Sequence, residues 1–282
     1  MERIGVIGGG LMGGGIAEVC ARAGADVVVV EVSPDAASAA EERVRSSIDR
    51  AESRGKISAA EATEALGRIT FTADLASLAD RQLVVEAASE QESVKLDLFR
   101  QVGAILEDDE AILASNTSSI PIVKLGAVSG RPDRVMGVHF FNPAPVMQLV
   151  ELVPSLTTSP ETIARVQTFV SETLRKQPIE ATDRAGFVVN SLLVPYLLSA
   201  IRMYEAGYAS AADIDKGMVL GCGHPMGPLA LSDLIGLDTL RAIGVSLYDE
   251  FKEPLYSPPP LLERMVDAGL LGKKSGHGFY PY

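Results

Sequence analysis

Cysteine is nearly absent from these 282 residues, with only Cys20 and Cys222, which excludes a disulfide framework and suits a reducing, cytoplasmic compartment. Neither thiol has the flanking ligand spacing of a metal site and no metal is expected; Cys20 falls in the first expected helix and is expected to pack there. Histidine is scarce too, limited to His139, His224 and His277. Cations are outnumbered: 25 Lys and Arg face 37 Asp and Glu, for a net charge of −12, which excludes nonspecific binding to nucleic acid or to an anionic membrane. No apolar run is long enough for a bilayer, since the strongest, residues 187–201, is interrupted by Asn190, Ser191 and Pro195. Internal repeats and low-complexity tracts are lacking. A first strand expected from residue 4 leaves no room for a signal or transit peptide. What remains is a chain that is 47% hydrophobic and long enough for one large domain or two modest ones.

The most informative stretch that is present runs from Ile4 to Ala17, where a short apolar run passes into Gly8, Gly10 and Gly13 in G-x-G-x-x-G spacing and then into a helical pattern. That is how a dinucleotide site reads. Gly8 permits a tight turn, Gly10 lets a pyrophosphate approach the backbone, and Gly13 lets the helix pack against its strand. The phosphates are expected on the helix N-terminus, at Gly10, Leu11, Met12 and Gly13. A second β-branched run ends in Glu31, 18 residues beyond Gly13, where a carboxylate can accept hydrogen bonds from a ribose. A 2′-phosphate would meet a like charge there, so the expected cofactor is NAD rather than NADP. The plain alternative is an acid that merely ends a strand.

Strands are expected at 4–7, 26–32, 69–72, 83–87, 112–114, 135–140 and 148–153, mostly separated by helical stretches, the pattern of a parallel sheet with crossover helices. After Asp183-Arg184-Ala185-Gly186 the character changes to helices with turn clusters. The expected architecture is therefore α/β: a Rossmann-type dinucleotide-binding domain over 1–184, followed by an all-helical domain over 185–282. The helix expected at 187–205 is apolar on nearly every face, so burial centrally or between subunits is expected.

Ligands of an open α/β sheet lie beyond the carboxyl ends of its strands. Three such places carry polar residues: Ser115 to Ser119, His139 to Pro143, and Glu151 inside an otherwise apolar strand. A lone histidine after an apolar strand is often a satisfied structural group, but a carboxylate inside an apolar run needs a partner, and an imidazole from the preceding strand can supply it. Such a pair would fix the tautomer of His139 in a base-plus-orienter arrangement. A basic stretch, Arg43, Arg45, Arg50, Arg54 and Lys56, reads by charge alone as a solvated helix face.

These motifs together resemble the L-3-hydroxyacyl-CoA dehydrogenase family, particularly its short stand-alone bacterial members. The resemblance is carried by the glycine turn, by Glu86 with Glu90 and Lys95, by Ser115 to Ser119, by His139-Phe140-Phe141-Asn142-Pro143 and by Glu151. Further along it is carried by Gly186-Phe187 with Asn190, by Gly223 to Pro228, by Gly236-Leu237-Asp238 and by Lys274 to Tyr280. It covers nearly the whole chain in order. It implies NAD-dependent interconversion of an (S)-3-hydroxyacyl-CoA, expected to be 3-hydroxybutyryl-CoA, and a 3-oxoacyl-CoA. His139 would be general acid and base, Glu151 its orienter, and Ser118 a ligand of the reacting oxygen. Asn190, from the second domain, would hold the carbonyl region of the substrate. Glu90, Lys95, Asn142 and Lys274 match cofactor-contacting positions, and Ser47 and Arg54, with Lys56 as a nearby alternative, would meet CoA. A homodimer built from the second domain is also implied. Without the resemblance, Glu90 and Lys95 read as a helical charge pair, Ser118 as a helix N-cap and Asn190 as a cap or solvent contact. Two departures stand out: Arg184-Ala185 where the family commonly has Thr-Pro, and Glu31 where it often has Asp. The competing expectations are oxidation of a free hydroxy acid on the same fold, and a non-catalytic NAD-binding protein.

Overall fold

β-branched side chains, stiff about χ1, favour extended backbone, and the runs that carry them form strands in the computed structural model, which describes residues 1–282. The chain divides into two units, Met1–Asp183 and Arg184–Tyr282. In the first, the order is β1 (Arg3–Ile7), α1 (Leu11–Arg22), β2 (Asp26–Val30), α2 (Pro34–Ser53), α3 (Ala59–Gly67), β3 (Ile69–Thr72), β4 (Leu83–Glu86) and α4 (Glu92–Ile105). It continues with β5 (Ile112–Ser115), α5 (Ile122–Val128), β6 (Val135–Phe140), β7 (Leu149–Pro154), α6 (Pro160–Thr168) and β8 (Gln177–Glu180). The strands form one eight-stranded sheet in the order β3-β2-β1-β4-β5-β6-β7-β8. Its first six positions follow the Rossmann order, and the winding reverses between β1 and β4.

The sheet is not wholly parallel as expected. β6 and β7 pair antiparallel, with His139 opposite Glu151, because residues 141–148 between them are too few for the dozen or so that a crossover helix requires. β8, which the sequence pattern did not predict, then lies parallel to β7 at the sheet edge. Its sequence, Gln-Pro-Ile-Glu, has polar ends and a proline, a combination tolerated at an edge where one side needs no hydrogen bonds. β2 stops at Val30, two residues earlier than the valine run continues, and Val32 is exposed. The central strands β4, β5 and β6 are buried at every residue, as expected of strands covered on both faces.

The glycine turn locks α1 to the sheet. Gly8 has φ +88°, a conformation glycine adopts without a steric penalty, and a Cβ on Gly13 would lie 1.8 Å from the Gly8 carbonyl oxygen. At Gly10 an added Cβ would meet no atom within 4 Å, so that glycine is not required by packing inside the protein.

The second unit contains α7 (Val189–Glu205), α8 (Ala211–Cys222), α9 (Pro228–Ile235), α10 (Leu237–Phe251) and α11 (Pro260–Asp267). Its core is built from one face of α7, where Val194, Leu197, Leu198 and Ile201 recur at helical spacing against residues such as Leu229, Leu240 and Leu262. Within its unit α7 buries that stripe together with Ala200, while Leu192 is 73% exposed, so the helix core covers only part of its apolar surface. Cys20 is buried in α1 and Cys222 is exposed at the end of α8. No helix is long and apolar enough to cross a membrane.

The two glycines should respond oppositely to a methyl group. G13A is expected to lose about 1–3 kcal/mol of unfolding free energy through overpacking, whereas G10A stays within about 0.5 kcal/mol of the parent. Urea denaturation of both variants checks this, and equal losses would contradict the packing argument.

Candidate active site

Three strand ends meet the requirements of a ligand edge. At the first, β1 delivers Gly8 into the turn and α1 starts with Gly10 as its cap, with no side-chain cap and no acidic residue in its first turn. The leading N–H groups of a helix have no partners within the helix and carry its positive end, so this start is suited to an anion. The turn is held from outside: Gly9 N donates to Glu31 Oε1 at 2.7 Å, and Arg43 Nη1 donates to the Gly9 carbonyl at 2.6 Å. Glu31 also accepts from Val32 N at 3.1 Å. Arg43, though exposed, therefore reaches the glycine turn with its guanidinium, a contact that a count of charges does not contain. The open Cβ position at Gly10, the uncapped helix start and the Glu31 carboxylate beside it fit the pyrophosphate and ribose of a dinucleotide.

At the second, β4 ends on Glu86. Lys95 Nζ donates to Glu86 Oε1 at 2.6 Å and lies 3.2 Å from Glu90 Oε2. Glu86 and Lys95 are each 1% exposed, so this is a buried ion pair, not the surface helical pair that the spacing alone would allow; Glu90 precedes α4 altogether. Glu86 also accepts from Ala88 N at 2.7 Å and from Ser115 Oγ at 2.6 Å. Glu90 gathers the segment beyond β5: its carboxylate accepts from the Thr117 hydroxyl, from Ser118 N at 3.1 Å and from Ser119 Oγ at 3.0 Å. Burial favours the neutral acid, but the Lys95 charge and the hydrogen bonds from Thr117, Lys95 and Ser119 hold the Glu90 carboxyl below the usual range. Ser118 is not a helix cap. Pro121 stands at the start of α5, and Asp183 satisfies that helix by accepting from Ile122 N at 2.8 Å and Val123 N at 2.9 Å.

At the third, His139 Nδ1 lies 2.7 Å from Glu151 Oε2 across the β6–β7 pair. Glu151 is wholly buried and His139 nearly so. With Glu151 as a carboxylate, which only accepts, Nδ1 is the donor, and in that tautomer the neutral ring carries its lone pair on Nε2. The Phe141 ring packs edge-on to the imidazole at 4.8 Å. Asn142 precedes Pro143 through a cis peptide, and the loop that follows is held by Lys176, whose ammonium donates to the carbonyls of Ala144 at 2.8 Å and Met147 at 2.7 Å. Asn116 Oδ1 accepts from Phe140 N at 2.8 Å. Lys176 and Asp183 were not singled out from sequence, and Asn116 only as part of the 115–119 run; nothing in a single asparagine, lysine or aspartate announces which backbone groups it will meet.

The remaining expected residues are placed individually. Ser47 donates to Glu18 Oε2 at 2.6 Å, so its hydroxyl is committed to a buried acid of α1. Arg54 caps α2 and Lys56 follows it, both exposed. In the second unit, Asn190 is half-buried in the first turn of α7, and Lys274 Nζ donates to Asp238 Oδ2 at 2.6 Å.

Residues 3–184 match the family model described as 3-hydroxyacyl-CoA dehydrogenase, NAD binding domain, and residues 186–282 match its C-terminal domain. A 3-hydroxybutyryl-CoA dehydrogenase of Mycobacterium tuberculosis is 56% identical over 282 residues, covering 100% of this chain and 99% of that one. Among solved structures, M. tuberculosis FadB2 superposes with a TM-score of 0.99 at 56% identity, over 100% of this chain and 99% of that chain. The (S)-3-hydroxybutyryl-CoA dehydrogenase PaaH1 of Ralstonia eutropha does so with a TM-score of 0.94 at 45% identity, over the same shares.

A carboxyl held below its ordinary pKa contributes stability that is full above the unfolded value and is lost as pH falls through the folded one. For Glu90 the loss belongs to the region below about pH 4. Urea midpoints measured against pH should therefore show a flatter acid limb in E90Q than in the parent, and superimposable limbs would contradict the assignment.

Proposed function

The chain belongs to the 3-hydroxyacyl-CoA dehydrogenase family, and from that premise we propose that it interconverts (S)-3-hydroxyacyl-CoA, 3-hydroxybutyryl-CoA first among them, and 3-oxoacyl-CoA with NAD. The observation that carries the reading is the buried His139–Glu151 pair at the ligand edge of the sheet. The glycine turn and Glu31 would hold NAD, which when bound would supply a hydride acceptor for C3 of the hydroxyacyl group. His139 Nε2 takes the C3 hydroxyl proton in oxidation and returns it in reduction. Glu151 holds the ring by Nδ1 and places a negative charge opposite the imidazolium that forms. Ser118 is proposed to donate to the C3 oxygen, and Glu90 supports that turn through its backbone N–H.

The glycine turn, with Gly8, Gly10, Leu11, Met12 and Gly13, is proposed to receive the pyrophosphate and Glu31 the ribose. Glu90, Lys95, Asn142 and Lys274 are the other proposed cofactor contacts, and Asn190 keeps the substrate role that the family resemblance gives it. For CoA, Arg54 and Lys56 are favoured by their exposure, and Ser47 less so because its hydroxyl is spent on Glu18. A cytoplasmic homodimer is proposed as the working form; the apolar Leu192 that α7 leaves uncovered supports the assembly, and the free thiols suit the compartment.

Steady-state assays with C4 to C16 3-oxoacyl-CoA esters and the corresponding free acids, using NADH, test the reaction; turnover of free acids alone would overturn it. H139Q is expected to lower kcat by about 10²–10⁴ with NADH binding nearly intact. E151Q should act through His139, so the double variant should lose far less than the sum of the two barriers. Additive losses would show separate action. E31A should weaken NADH and relax discrimination against NADPH, because it removes an acceptor and a like charge together; fluorescence titration with both cofactors checks it, and unchanged affinities would refute the role.

A further inference from the structure

Two pieces of the proposed chemistry are built on different strands. His139 belongs to β6 and is held from the far side by Glu151 of β7. Ser118 follows β5 and is held from the near side by Glu90. The backbone ladder does not join them, because β5 and β6 stop pairing at Ser115 opposite Gly137, and β6 runs on through Val138, His139 and Phe140 with β7 alone.

Asn116 spans the gap. Its backbone N–H is committed to β4, donating to the Glu86 carbonyl at 2.7 Å. Its side chain crosses the other way, and Oδ1 accepts from Phe140 N at 2.8 Å. One residue therefore connects three neighbouring strands at their carboxyl ends, directly after Ser115 and two positions before Ser118, and it grips β6 at the residue next to His139. We propose that Asn116 is a positioning residue of the reaction: its carboxamide oxygen sets where the Ser118 turn stands relative to the imidazole. The inference rests on the dehydrogenase reading given above.

A side chain that only stabilised the sheet would change melting temperature and leave turnover per folded molecule alone. A positioning side chain alters kcat, since displacement of a catalytic group by about 1 Å can cost on the order of 10²-fold. The test compares N116L, which keeps the size and removes the acceptor, with N116D, which keeps an acceptor oxygen. Turnover of 3-oxobutyryl-CoA is followed with NADH and with NADH carrying deuterium at the transferred position. N116L is expected to lose about 10- to 100-fold in kcat with NADH affinity kept within about twofold, and to show a larger isotope effect on kcat than the parent. N116D should recover most of the loss. If circular dichroism shows N116L unfolded, N116A is measured by the same readouts. The inference is overturned by an acceptor-free variant with kcat within about twofold of the parent, or by N116D as impaired as N116L. A parent inactive on every 3-oxoacyl-CoA overturns the reaction reading and this inference with it. An active parent beside an unimpaired N116L overturns this inference alone.

Discussion

A carboxylate enclosed within a sheet is tolerable only when a countercharge and donors surround it, since an unpaired buried charge costs several kcal/mol. Glu86 meets that condition at the end of β4, with Lys95, Ala88 N and Ser115 Oγ around its two oxygens. Much of the ligand edge depends on it. The pair fixes Lys95, Lys95 lies against Glu90, and Glu90 shapes the 117–119 turn. The Glu86 backbone is used as fully as its side chain, pairing with Ile7 of β1 and accepting from Asn116 N. One acid thereby ties the glycine-turn strand, the next strand and the start of α4 into a frame whose parts cannot move independently.

The other half of the edge rests on strand direction. Had β7 run parallel to β6, a crossover of a dozen or so residues would separate them, and His139 and Glu151 would no longer be assured of facing positions. The short antiparallel return puts them opposite each other by register, and the imidazole satisfies an acid that is wholly buried. Lys176 then holds the loop between the two strands through two carbonyls. The proton-transfer group is thus mounted on a rigid strand pair, while the groups proposed to meet the cofactor lie on turns braced by Glu31 and Glu86.

Some of this was legible in the sequence, for identifiable reasons. The glycine turn was legible because a positive φ at Gly8 and a near-zero clearance at Gly13 admit almost no other residue. The His139–Glu151 pair was legible because an acid in an apolar strand demands a partner. The direction of β7 was not read, since alternation of side chains is the same in either direction and only the loop length decides. β8 was invisible because edge strands escape the composition rules that mark central ones. Arg43 was counted as a surface charge without the reach of its guanidinium to the Gly9 carbonyl, and Ser47, given a CoA role by resemblance, has its hydroxyl donating to Glu18. In both cases the deciding partner lies about thirty residues away, beyond what local pattern records.

The burial that organises α1 also separates the two thiols chemically. Cys20 is enclosed, and burial pushes its pKa up to about 12 despite the opposing pull of Lys176; Cys222 is exposed. Alkylating reagents attack the thiolate, which burial disfavours at Cys20 while also closing the sulfur off from reagent. The native chain therefore offers one reactive handle, at the end of α8 in the second unit. A maleimide dye or nitroxide attached there observes that unit's motions with no engineered cysteine and no background from the first.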